Sequence, residues 1–154
     1  MEPRRLSTAE TDESEEGASV GSVNEHPEPT EATVKQLYAR AFRCAHPDCL
    51  KPLYTLDNQT GNPTLNSRVA HIHARRRGGP RWVEMASSEN RAAANLVLLC
   101  IEHSYAVDEH PERFTAELLR DWKSAQLAEH DRARQGWTLN DERVMALVEP
   151  PHSC

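Results

Sequence analysis

Residues 94–108, ANLVLLCIEHSYAVD, decide how the rest of the chain is read. NLVLLC (95–100) is short and apolar enough to form a buried strand, and IEHSYAVDEH (101–110) can wind into a helix beginning near Cys100. Cys100 and His103 then fall in the first helical turn. Ser104 and Asp108, spaced i and i+4, share one helical face and can address a single ion.

The pair Cys100-x2-His103 has a counterpart about fifty residues upstream, Cys44-x4-Cys49. Each pair has the spacing of a structural zinc half-site, one at a knuckle entering a hairpin and the other at a helix start. Three thiolates and one imidazole satisfy tetrahedral zinc, and the ion would tie the N-terminal knuckle to the helix after NLVLLC. The alternative reading is that buried cysteines act as small hydrophobes. Cys154, beyond Pro150 and Pro151, is expected to be a free thiol.

The first 31 residues hold nine acids against Arg4 and Arg5, whereas the rest of the chain holds 16 basic and 15 acidic residues. The formal charge of −6 therefore describes the N-terminal segment and does not argue against nucleic-acid binding by the remainder. Rich in Ser, Glu, Thr and Pro without an apolar cluster, residues 1–31 are expected to form a disordered acidic tail. The remaining chain carries too few aromatics for a large core, a situation in which small domains often rely on a staple. No apolar run approaches the length of a membrane span, and no signal-peptide pattern opens the chain. A reducing cytoplasm is the expected compartment, in which cysteines serve as metal ligands or free thiols.

Thr30 is a plausible N-cap for a helix whose apolar face carries Val34, Leu37, Tyr38, Ala41 and Phe42. KPLYTL (51–56) and LNSRVAHIHA (65–74) read as strands of a hairpin joined by the turn-rich DNQTGNP (57–63). RRRGGPRW (75–82) is a loop, and SSENRAAA (87–94) can hold a turn of helix. A further helix is expected from Thr115 to Arg134, with Leu118, Leu119, Trp122, Ala125 and Leu127 facing inward and Gly136 ending it. NDERVMALVE (140–149) would form a last short helix before Pro150 and Pro151.

Between the two ligand pairs lie VAHIHARRRGGPRW (69–82) and ENRAAANLVLLC (89–100). From about Val34 to Asp108, half of the chain, the sequence resembles the HNH endonucleases. The resemblance implies an α+β, ββα-metal (treble-clef-like) zinc-stapled core over residues 32–112, with an N-terminal helix and a C-terminal helical extension over 113–154. LYARAFRCAHPDC (37–49), followed by VAHI and GGPR, is also similar to the nuclease half of some bacterial antiphage effectors.

The resemblance further implies His71 as the general base and Asn95 as the residue that orients the loop carrying it. The catalytic ion, Mg²⁺ or Mn²⁺, would fall to the positions of Ala70, Ser104 and Asp108. Ala70 has no donor and Ser104 is a weak ligand, leaving Asp108 as the conventional hard-cation ligand. His73, two residues from His71, would share its strand face and supply the missing ligand. Each residue also has a plainer reading: hydrogen-bonded strand histidines, a strand-entry asparagine, a helix-terminal aspartate.

Six arginines between Arg68 and Arg91 face only Glu84 and Glu89. Arg75, Arg76, Arg77 and Arg81, beside His71, are expected to contact DNA phosphates rather than read bases; a solvated charged loop is the alternative. The acidic tail would compete for this loop in cis. Two functions fit: a DNA endonuclease of low sequence specificity, with a protein partner supplying any specificity, or a zinc module that binds nucleic acid or a partner without cleaving.

Overall fold

The computed structural model describes residues 23–137. Thr30 caps the first helix, α1 (Glu31–Tyr38), its hydroxyl accepting from Thr33 N. The chain then turns through the Cys44–Cys49 knuckle into a short hairpin, β1 (Tyr54–Leu56) against β2 (Pro63–Leu65). Asp57 closes that turn by accepting from the backbone of Gln59 and Thr60.

The expected hairpin of 51–56 with 65–74 does not form as read: the partner of β1 begins at Pro63, inside the expected turn, and most of the expected second strand pairs elsewhere. Only Pro63–Leu65 pairs with β1, and after Asn66 the chain continues as β3 (Ser67–His71), antiparallel to β4 (Leu96–Cys100), with Ser67 opposite Cys100 and His71 opposite Leu96. Tyr54, Leu56 and Leu65 remain exposed on the small hairpin, whereas every residue of β4 is buried. Buried apolar side chains on both faces of β4 make it the centre of the fold.

Between β3 and β4 run the arginine loop, a single helical turn α2 (Ser87–Asn90) and a 3₁₀ turn over Ala93–Asn95. Helix α3 (Ile101–Glu109) follows β4 without a break and packs on β3 and β4. Two apolar clusters flank the β3–β4 sheet. One joins Leu37, Ala41, Leu53, Leu96 and Leu98; the other joins Ala70, Ile72, Val97, Leu99, Val107, Phe114, Leu119 and Trp122 to the three cysteines.

Helix α4 (Ala116–Trp137) is longer than expected and runs through Gly136. Leu119 and Trp122 belong to the central core, so the helix completes the domain instead of extending from it. Ala125, expected to face inward, is exposed, and Gln126 and His130 are buried in its place. Gln126 Nε2 donates to the Arg43 carbonyl at 2.7 Å and to that of Leu98, which also accepts from Ala45 N, at 3.1 Å, so the buried amide is paired.

The N-terminal boundary also differs from the expected tail of 1–31. Residues 24–28 are built into the domain: His26 N donates to Arg75 O, Arg77 N donates to Asn24 O, and the His26 ring is buried, stacked on Trp82 at 5.2 Å. The last expected helix (140–149) and Cys154 lie outside the described residues. Among the described residues, no helix is long and apolar enough to cross a membrane.

Candidate metal centre and adjoining cavity

The knuckle and the start of α3 bring Cys44, Cys49, Cys100 and His103 together, their ligand atoms all within 4.8 Å of one another. Cys49 Sγ lies 4.0 Å from Cys100 Sγ, and His103 Nδ1 lies 3.2 Å from Cys100 Sγ and 3.6 Å from Cys44 Sγ. A tetrahedral zinc with ordinary bond lengths separates its ligands by roughly 3.8 Å between sulfurs and roughly 3.5 Å between sulfur and imidazole nitrogen. The spacing is compatible with a zinc ion.

The donor chemistry agrees. Burial pushes the Cys44 thiol up to about 12 against opposing backbone hydrogen bonds from Cys100 and His46, with the charges of Cys100 and Cys49 adding to the rise. A bound zinc ion would offset that cost by holding the sulfurs as thiolates. Cys100 also caps α3, its sulfur accepting from His103 N at 3.4 Å. His46 stacks on His103 at 4.1 Å and meets Trp122 at 4.7 Å, roofing the cluster. The guanidinium of Arg43 holds the knuckle by donating to the carbonyls of Cys44, His46 and Cys49.

On the other side of α3 lies a cavity of about 350 Å³, lined by Arg68, Ala70, His71, Arg75, Arg76, Ser104 and Asp108 among others. β3 supplies His71, the arginine loop supplies Arg75 and Arg76, and α3 supplies Ser104, Tyr105 and Asp108. The spacing of Ser104 and Asp108 by one helical turn is what lets both line it.

His71 Nε2 is buried and has no hydrogen-bond partner. Burial holds the ring below its ordinary 6.5, and the charge of Arg75 adds to this, against opposing contributions from Glu28 and Asp108. The ring is therefore neutral at neutral pH. The Ser104 hydroxyl donates to Ile101 O at 2.7 Å, leaving its lone pairs unengaged by that bond. Ala70 brings only a methyl group.

Asn95 fixes the backbone just beyond His71. Its Oδ1 accepts from His73 N at 2.9 Å, its Nδ2 donates to His73 O at 3.0 Å, and its carbonyl accepts from Ile72 N. Asn90, which no sequence signal singled out, is fully buried beside it, with Nδ2 3.1 Å from Ala74 O. The clue available in the sequence was its place in a polar cap between two apolar segments, which does not separate a buried amide from an exposed one.

His73 does not line the cavity. β3 ends at His71, so the strand alternation that would have put the two rings on one face no longer applies. His73 Nδ1 is 2.7 Å from Arg81 O and Nε2 is 2.7 Å from Arg120 Nη2, an arrangement in which the ring donates at one nitrogen and accepts at the other.

The four arginines expected to bind phosphate separate into different roles. Arg81 is buried, with its backbone at φ 56°, a region that residues with a Cβ seldom occupy. It donates to the carbonyls of Ile72 (2.8 Å), Val107 (2.6 Å) and Phe114 (3.3 Å) and to Asp108 (2.7 Å). It braces the loop, strand and helix around the cavity and offers nothing to a ligand. Gly79 allows the loop to fold back beneath it, since a Cβ there would meet that of Ala74 at 2.8 Å. Arg77 pairs with Glu84 and does not line the cavity. Arg75 and Arg76 do line it, paired with Glu25 and Glu28. At the rim, the Arg68 guanidinium lies 4.8 Å over the ring of Tyr105.

Among the described residues, the cysteine–histidine cluster is the one group of three or more His, Cys, Asp or Glu side chains close enough to share an ion. No family model matches the chain, and no curated protein matches it.

Proposed function

We propose that the chain is a zinc-stapled, HNH-type endonuclease that hydrolyses DNA phosphodiester bonds with low sequence specificity. The observation that carries this reading is the convergence of a neutral imidazole with an unpartnered buried nitrogen, a carboxylate and two arginines on one cavity. Phosphodiester hydrolysis requires a base for the attacking water and positive charge on the phosphate. His71 takes the proton of the water. Arg75 and Arg76 bind the phosphate oxygens. Asn95, supported by Asn90, keeps the strand end carrying His71 in place.

Asp108 and Ser104 would hold the divalent cation. Mg²⁺ is commonly bound through one or two carboxylates together with waters and substrate phosphates, so the absence of a third protein ligand is compatible with it. Bound there, the ion supplies charge to the phosphate and to the leaving oxygen.

A second reading, a zinc module that binds nucleic acid without cleaving it, is favoured by one observation: Arg81 already holds Asp108 at 2.7 Å and so takes up part of its charge. Nicking of supercoiled plasmid in Mg²⁺ or Mn²⁺ by the zinc-loaded protein separates the two. Cleavage that falls about 10²- to 10⁴-fold in His71→Ala is the expected result. Retained DNA binding without cleavage under either ion establishes the second reading.

A further inference from the structure

Arg75 and Arg76, which face the cavity, are engaged by a segment that crosses them from the N-terminal side. Arg75 Nη2 meets Glu25 Oε1 at 2.6 Å and Glu28 Oε1 at 2.8 Å, and Arg76 Nε meets Glu25 Oε1 at 3.0 Å. A carboxylate on a guanidinium uses the same donors and nearly the same geometry as a phosphate. The cavity that supplies positive charge to a phosphate backbone thus has two carboxylates on its arginines.

The segment's anchorage is separate from these carboxylates. His26 is 1% exposed, stacks on Trp82 and lies with Nδ1 2.9 Å from Ser87 Oγ. Backbone bonds hold it as well: His26 N to Arg75 O, Arg77 N to Asn24 O, and a bridge pairing Glu25 with Arg76. The side chains of Glu25 and Glu28 are 42% and 70% exposed, so solvent and salt screen their pairs. An anion can displace them while His26 keeps the segment seated.

Resting on the reading of the cavity as a nucleic-acid site, we propose that Arg75 and Arg76 form a subsite for backbone phosphates and that Glu25 and Glu28 occupy it in cis. The nucleic acid enters by taking the arginines from the carboxylates. Affinity is then set by a competition between carboxylate and phosphate for the same guanidinium donors. Truncation of the whole N-terminal segment would be a poor test, because it also removes His26 from the core.

The test is binding of a short fluorescein-labelled DNA duplex to the zinc-loaded full chain, followed by anisotropy across a salt series without added divalent ions. Glu25→Gln/Glu28→Gln preserves shape and removes both charges. It is expected to bind about ten-fold tighter at low salt, with the log–log salt slope steeper by about one to two, because arginines freed from carboxylates gather counterions that a phosphate then releases. Equal or weaker binding with an unchanged slope overturns the proposal. Should the double variant fail to fold, Glu28→Gln alone serves: its carboxylate touches only Arg75 among the ion pairs, and about two- to three-fold tighter binding is expected. No gain there also overturns it.

Plasmid nicking keeps this proposal apart from the endonuclease reading. Tighter binding by the glutamine variants without any nicking supports the subsite and sinks the nuclease. Nicking that depends on His71, with binding unaltered in the variants, does the reverse.

Discussion

Cys100→Ser is expected to abolish cooperative folding of the domain. The three sulfurs belong to the same apolar cluster as Val97, Leu99, Phe114, Leu119 and Trp122, so the candidate metal centre sits within the core. It joins a knuckle after α1 to the first turn of α3, a link across about fifty residues that no strand pairing makes. Structural zinc typically contributes an apparent ~10–16 kcal/mol to folding of small domains, as much as or more than the about 5–15 kcal/mol of net stability a domain has. Loss of one thiolate leaves the remaining ligands buried without full coordination, while a serine hydroxyl can still cap α3, so the defect is confined to the ligand set. Circular dichroism on heating, with the zinc content measured in parallel, checks this. The wild type should bind one zinc through these four residues and melt in a single step. The serine variant, or the wild type after prolonged chelation, should show no such transition. A wild-type melting curve for Cys100→Ser would show that the cluster is an ordinary packing feature.

Arg81→Ala is expected to be the most damaging change at a charged residue. The side chain is 5% exposed, and its guanidinium is shared among the carbonyls of Ile72, Val107 and Phe114 and the carboxylate of Asp108. Removing it strands buried acceptors from three segments and leaves Asp108 without its cation. A buried acceptor left unsatisfied costs about 1–3 kcal/mol, so three together are enough to lower the melting temperature by roughly 10 °C or more in a domain of this size. Asp108→Asn should cost much less, because the half-exposed side chain is solvated and Arg81 keeps its carbonyls. The pair of thermal melts distinguishes a brace from a ligand-binding arginine. Were Arg81→Ala to melt like the wild type and lose DNA affinity alone, the brace would be refuted.

Arg81 illustrates where the sequence stopped being informative. In RRRGGPRW the four arginines are chemically equivalent, and nothing local distinguishes one that is buried under α3 from two that face the cavity. The difference is tertiary: the loop folds back at Gly79, and the chain adopts a left-handed turn at Arg81 that points its side chain inward. His73 is a similar case. The two-residue spacing from His71 was legible, but the end of β3 at His71 was not, and with it went the shared face. The segment 24–28 reads as part of a polar, proline-containing tail; its burial depends on Trp82, more than fifty residues away.

Local rules were sufficient where the signal was itself local. Thr30 caps α1, NLVLLC forms a fully buried strand, and IEHSYAVDEH follows as a helix. The two ligand pairs were legible from spacing alone, because metal coordination fixes which side chains must meet irrespective of the route between them. Gln126 was missed because apolar periodicity assigns a buried glutamine to the surface. Its buried amide is paired with two carbonyls that belong to other parts of the chain.

On the proposed function, the cavity between β3 and α3 takes a divalent ion beside His71, separately from the cysteine–histidine cluster. Mn²⁺ added to isotope-labelled, zinc-loaded protein with a short DNA duplex tests it directly, through paramagnetic broadening of backbone amide signals. Ser104, Asp108 and His71 are expected to broaden first while the knuckle around Cys44 and Cys49 stays sharp. Broadening that bypasses those three residues, or that is absent at Mn²⁺ concentrations in excess of the protein, would contradict it.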